Sequence, residues 1–233
     1  MKTHTIPIIH IYIPEALDHS NCEIWYFKHL FQRMLTKAKL KYYAYSDRKE
    51  FEKGFKLKNK HSERRNGGEK GDTIAADDLF FIVTDTDLKP DFSNFDEVRA
   101  DLRNHYNWFN GDVPIIFSSR SFETWLCMHN QVYNKPFSGQ DTLEHDVGYD
   151  YEKTEKWYKK HAERLYGTID DACANCRISR SSAIDSEQSE HTNRESFKIT
   201  VPALADEYTI NWFLKISTIS YMDKLIDVLR VFE

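Results

Sequence analysis

Apolar positions along the chain fall into short β-branched runs separated by helical stripes. Residues 6–13 are apolar and β-branched, which predicts a first strand. Ile24, Phe27, Leu30, Phe31, Met34 and Leu35 then recur at the spacing of one helix face across residues 23–37. The tyrosine-rich stretch 41–45 reads as a second strand. Residues 79–84, Leu-Phe-Phe-Ile-Val-Thr, form a continuous apolar run of strand length. That pattern suits a strand buried on both faces, as in a parallel sheet covered by helices. Val98, Leu102, Tyr106 and Phe109 predict a helix over 96–109, and 113–117 is another short buried strand. A helix is expected to open after it and run towards Val132. Ser118 or Ser119 would cap it, with Glu123 in or near its first turn, where a carboxylate is favoured.

Strand and helix alternate through the first 135 residues, an order that predicts an α/β layer with a mainly parallel sheet flanked by helices. After a loop containing Pro136, Gly139 and Gly148 the pattern becomes helical, over 151–166, 169–178, 201–216 and 219–232. The polar stretch 179–196 reads as a surface loop. The expected organisation is one α/β domain over 1–135 and a helical extension over 136–233 packed on it. A charged segment interrupts the first domain at 46–75. It carries Lys56, Lys58, Lys60, Arg64, Arg65 and Lys70 and ends in Asn66-Gly67-Gly68. It reads as an exposed loop or insertion. Its cations Lys56, Lys58, Arg64 and Arg65 are candidate phosphate contacts, although the interspersed Glu63, Glu69 and Asp72 favour a merely solvated segment.

Composition narrows the class. Hydrophobic residues make up 40% and charged residues 30% of the 233, the balance of a soluble globular protein rather than a disordered one. The net charge of −5 speaks against a globally basic nucleic-acid binder but leaves room for a local basic groove. The N-terminal apolar stretch is short and broken by Pro7 and His10, so neither a signal peptide nor a membrane span is expected, and the cytoplasm is the expected location. Cys173 and Cys176 have the spacing of half a zinc site. No second pair completes it, which favours two cysteines on a helix.

The candidate chemistry is acidic. In parallel α/β sheets functional groups gather beyond the carboxyl ends of the strands. Glu15 follows the first predicted strand, and Asp85-Thr86-Asp87 closes the third. Side chains two apart on extended backbone point the same way, so Asp85 and Asp87 can face one ion. Hard cations such as Mg²⁺ take oxygen ligands. The same aspartates serve equally well as caps of a following helix.

A Glu after the first strand and D-x-D after an apolar strand resemble the Toprim catalytic fold of topoisomerases, primases and OLD-type nucleases. A second stretch is more specific. Residues 118–129, Ser-Ser-Arg-Ser-Phe-Glu-Thr-Trp-Leu-Cys-Met-His, are similar to the Ser-Asn-Pro-x-Phe-Glu-x-Trp-Leu-Leu-x-His signature of RloB-like proteins. Ser119, Phe122, Glu123, Trp125, Leu126 and His129 match it in order. The resemblance covers about residues 6–135. It implies a Toprim-like domain and a Mg²⁺- or Mn²⁺-dependent nuclease cleaving RNA, tRNA included, or DNA. It also implies a toxic effector in bacterial anti-phage defence, with an ABC-type ATPase as possible partner and oligomerisation possible. The implied roles are Glu15 as general acid/base, Asp85, Asp87 and Glu15 at the metal, Glu123 as a second catalytic carboxylate, and His129 as a supporting residue, the last two on the helix near the same rim. The chain departs from the pattern at Ala16, where the family has Gly, and Glu23 lies beyond the insertion 17–22. Glu15 is the preferred acid/base because it directly follows the strand. Glu23 either ligates the ion or complements the helix dipole. The altered first motif leaves open the alternative of a non-catalytic or regulatory module that holds an ATPase partner or a nucleic acid.

Overall fold

The computed structural model describes residues 6–17, 21–31, 35–63, 77–86, 113, 115–119, 121–135, 138–188 and 220–233. Among the described residues four strands form one sheet: β1 (Ile8–Tyr12), β2 (Lys39–Tyr43), β3 (Leu79–Thr86) and β4 (Ile115–Ser119). Their order is β2-β1-β3-β4, and every pairing is parallel. The chain belongs to the α/β class expected from its alternation. β1 and β3 lie in the middle, with Ile9, Ile11, Phe80, Phe81, Ile82 and Val83 buried. This is why β3 reads as an unbroken apolar run and β1 as an apolar run interrupted by the buried His10. β2 is an edge strand, and its exposed Lys39 and Lys41 discourage further pairing on that side.

The order of the strands decides where a site can form. The chain leaves β1 towards β2 on one side, whereas β3 leads to β4 on the other. The connections therefore diverge at the β1/β3 boundary, the switch point beyond which ligands of open α/β sheets bind.

Among the described residues the helices are α1 (Cys22–Leu30), α2 (Arg48–Glu63), α3 (Glu123–Met128), α4 (Gln140–Val147), α5 (Glu155–Gly167), α6 (Ile169–Gln188) and α7 (Met222–Arg230). α1 begins where the Asn21 side chain accepts from the Glu23 backbone N–H at 2.9 Å, a standard N-cap. The aromatic core forms around Tyr26, whose ring packs on Phe122, Trp125 and His129 at 5.4, 6.3 and 5.9 Å between centroids. α7 closes the far side. Arg180 of α6 binds both carboxylate oxygens of Asp223 at 2.6 and 2.7 Å, and Ser118 of β4 bridges to Ser220.

Five expectations need correction. The charged segment is not a loop over 48–63 but helix α2. Phe51 and Phe55 form its apolar stripe, packing on Phe80 at 5.4 and 5.7 Å, and Arg48–Glu52 adds an i,i+4 pair at 2.9 Å. Ser118 and Ser119 do not cap a helix, because they extend β4, where Ser118 pairs with Asp85. α3 begins at Glu123 and ends at Met128, short of Val132. The supposed loop at Gly139 and Gly148 contains α4, whose Leu143 and Val147 are buried one turn apart. The polar stretch from Ser179 continues α6 as far as Gln188, with Ser179 buried and donating to the Tyr133 carbonyl at 2.6 Å. The predicted helices over 96–109 and 201–216 lie outside the described residues. So do Asp87, Arg64 and Arg65. Cys173 and Cys176 are both free and buried on α6. Among the described residues no helix is long and apolar enough to cross a membrane.

Candidate functional site

Three carboxylates converge at the β1/β3 switch point. Glu15 lies three residues beyond β1, Asp85 lies near the end of β3, and Glu23 lies in the first turn of α1. One oxygen from each lies within 4.8 Å of the others, a spacing able to share one cation. Glu15 is held in place from β3. The Thr84 hydroxyl donates to its Oε1 at 2.5 Å, and the Asp85 backbone N–H donates to Oε1 and Oε2 at 3.1 and 3.3 Å.

The three differ in their access to water. Glu15 is exposed, whereas Glu23 is buried. Asp85 is half-buried, but its Oδ1 is sealed from solvent and has no hydrogen-bond partner among the described residues. A buried anionic oxygen without a donor is costly, so such an atom calls for an explanation. Burial, and then the charges of Glu23, Glu15 and Glu123, push the Asp85 carboxyl well above its usual range. Burial and the Glu15 charge push Glu23 up to about 8. Either protons or a cation must relieve this crowding.

Glu123 behaves differently. It too is buried, but its carboxyl falls below its ordinary value. Burial works against ionisation, and the Lys153 ammonium and the Tyr151 hydrogen bond outweigh it. Tyr151 donates to Glu123 Oε1 at 2.7 Å, and Lys153 Nζ lies 3.3 Å from the same oxygen.

The remaining sequence candidates lie elsewhere. His129 is buried, with Nε2 3.1 Å from the Tyr26 hydroxyl and Nδ1 2.9 Å from Thr168 Oγ1. Burial lowers its pKa to about 3, so it is a neutral ring in the aromatic core. Lys56 is exposed and lies 3.8 Å from Glu52. Lys58 sits over the Phe80 ring at 5.8 Å. Phe80 is five residues before Asp85, or about 16 Å along the strand, so Lys58 is near the opposite end of the sheet. Asp87 is outside the described residues, so only the first half of D-x-D can be placed.

The Ala16 departure imposes no strain. Among the described residues, Tyr149 and Asp150 are the non-glycine residues with positive φ, so Ala16 adopts ordinary backbone. It is buried, its N–H donates to the Ile13 carbonyl at 3.2 Å, and its carbonyl accepts from Tyr45 N–H at 2.7 Å. A glycine is not needed there. Sequence reasoning missed Thr84, Tyr151 and Lys153. Thr84 was readable only as the end of an apolar run. Tyr151 and Lys153 lie far along the chain in the helical extension, and no local pattern ties them to the acidic group.

Residues 16–226 match the family model described as RloB-like protein, so the match begins one residue after Glu15. Neither the curated proteins nor the solved structures contain a match.

Proposed function

The chain belongs to the RloB-like protein family, and from that premise we propose that the carboxylates at the switch point form the divalent-cation site of a nuclease. The observation that carries this reading is Asp85 Oδ1, buried without a partner beside the oxygens of Glu15 and Glu23. The donor set suits the group: all-oxygen and anionic, as Mg²⁺ and Mn²⁺ prefer. Asp85 and Glu23 would hold the ion from the buried side, with Glu15 at the exposed side. When bound, the ion supplies charge neutralisation at a phosphodiester and an activated water.

The protein groups contribute the remainder. Glu15 is the carboxylate open to solvent, and Thr84 and the Asp85 N–H fix its orientation. It is therefore placed to take a proton from an attacking water or to return one to a leaving oxygen. Glu123 is held ionised through its Oε1 by Tyr151 and Lys153, while its Oε2 is buried with no hydrogen-bond partner among the described residues. The resemblance at residues 118–129 and the family match further support a role as an anti-phage effector beside an ABC-type ATPase partner.

Purified protein incubated with tRNA, single-stranded DNA and duplex DNA in Mg²⁺ or Mn²⁺ tests this reading. Cleavage should be abolished by EDTA and should fall at least about a hundredfold in Glu15→Gln and Asp85→Asn. Cleavage that persists unchanged in Asp85→Asn contradicts it. Stable ATPase co-purification without metal-dependent cleavage, before or after phage challenge, favours a regulatory module instead.

A further inference from the structure

The loop joining α4 to α5 has an uncommon backbone. Gly148, Tyr149 and Asp150 have φ of 71°, 59° and 49° in succession. Non-glycine residues rarely occupy this region, and they persist there only where their surroundings hold them. Here the surroundings do so. Trp157 Nε1 donates to the Tyr149 carbonyl at 3.2 Å, and the Arg164 guanidinium lies 3.3 Å from the centre of the Tyr149 ring. Asn130 Nδ2 donates to the Val147 carbonyl at 2.8 Å.

The chain emerges from this turn with two side chains directed at one carboxylate. Tyr151 and Lys153 both reach Glu123 Oε1. Glu123 is buried, whereas the Lys153 side chain is 57% exposed. An ammonium has three donors. One directed at Glu123 leaves the others for a ligand at the rim. The Tyr151 hydroxyl also lies 3.6 Å from the Sγ of Cys22, the chain neighbour of Glu23, which brings this loop up to the acidic group.

A phosphodiester approaching the acidic group of Glu15, Glu23 and Asp85 meets repulsion, and a lysine at its rim counters it as a point charge. We propose that Lys153, delivered by the strained loop 148–154, is a phosphate-contacting residue of the site, with Glu123 and Tyr151 as its positioning residues. This rests on the nuclease reading above. It makes the helical extension part of the site rather than a cover for it.

The test measures binding rather than turnover. A fluorescein-labelled single-stranded RNA and a labelled duplex DNA are titrated by anisotropy at several salt concentrations, with Ca²⁺ replacing Mg²⁺. In Lys153→Met the affinity should fall about tenfold, and the plot of log K against log salt should become shallower by roughly 0.7 to 0.9, one phosphate contact. Lys153→Arg should keep most of both. A purely structural role for Lys153 would lower the melting temperature and leave the salt slope unchanged. Equal affinity and slope in Lys153→Met and wild type overturn the assignment while the nuclease reading stands. If the wild type binds neither probe, both fall.

Discussion

At the residue scale the site is defined by charges that cannot all ionise in the absence of a cation. Glu23 illustrates the sign. Its folded pKa, about 8, lies above its ordinary 4.5. The native state therefore holds the proton more tightly than the unfolded chain. The stability this contributes is full below pH 4.5 and is lost as pH rises through 8. In EDTA, the melting temperature of Glu23→Gln should gain on that of wild type steadily across this window. Scanning fluorimetry at a series of pH values reads the difference, and parallel profiles would contradict it. In the proposed site a cation would replace the proton, so Mn²⁺ should raise the wild-type melting temperature more as pH climbs towards 8, and should do so less in Glu23→Gln.

The element scale concerns how each side chain reaches its place. Gly148 has φ 71° and ψ −171°, a region essentially confined to glycine. Its Cβ would meet little, with Asn130 Nδ2 at 4.0 Å, so the cost of a substitution comes from the backbone rather than from a clash. Gly148→Ala should cost about 1–3 kcal/mol in urea unfolding. It should also weaken nucleic-acid binding as Lys153→Met does, because the loop aims that lysine. A loss of stability with unchanged binding would separate the loop from the site.

Legibility at this scale followed periodicity. β3 was readable because a strand buried on both faces leaves an unbroken apolar run, and β1 because its β-branched isoleucines flank a single histidine. Asp85 was readable because it closes the most apolar of them. α2 was hidden by its charge, although Phe51 and Phe55 already carried the one-turn spacing. α4 was hidden between two glycines that bound it rather than break it. Glu23 could be assigned no single role from sequence, since a first-turn carboxylate also complements the helix dipole. Only the packing of α1 brings it to Asp85. The contact of Lys153 with Glu123 spans 30 positions and two helices, so no local pattern could announce it.

On the scale of the whole molecule, the site depends on the C-terminal elements. α7 reaches β4 through Ser220 and Ser118, and Ser118 is the register partner of Asp85. The link is anchored by the buried pair Arg180 and Asp223. Asp223→Ala strands a buried guanidinium and should cost about 3–5 kcal/mol in urea unfolding. Replacing both partners with apolar residues, Arg180→Met with Asp223→Leu, should cost less. Equal losses would show that the pair acts through packing alone.

The central claim is that Glu15, Glu23 and Asp85 share one divalent cation. Anomalous diffraction from Mn²⁺-soaked crystals tests it most directly. A peak within bonding reach of Asp85 and of at least one of the two glutamates is expected, and it should be lost in Asp85→Asn. A peak held by other residues, or none at saturating Mn²⁺, would contradict it.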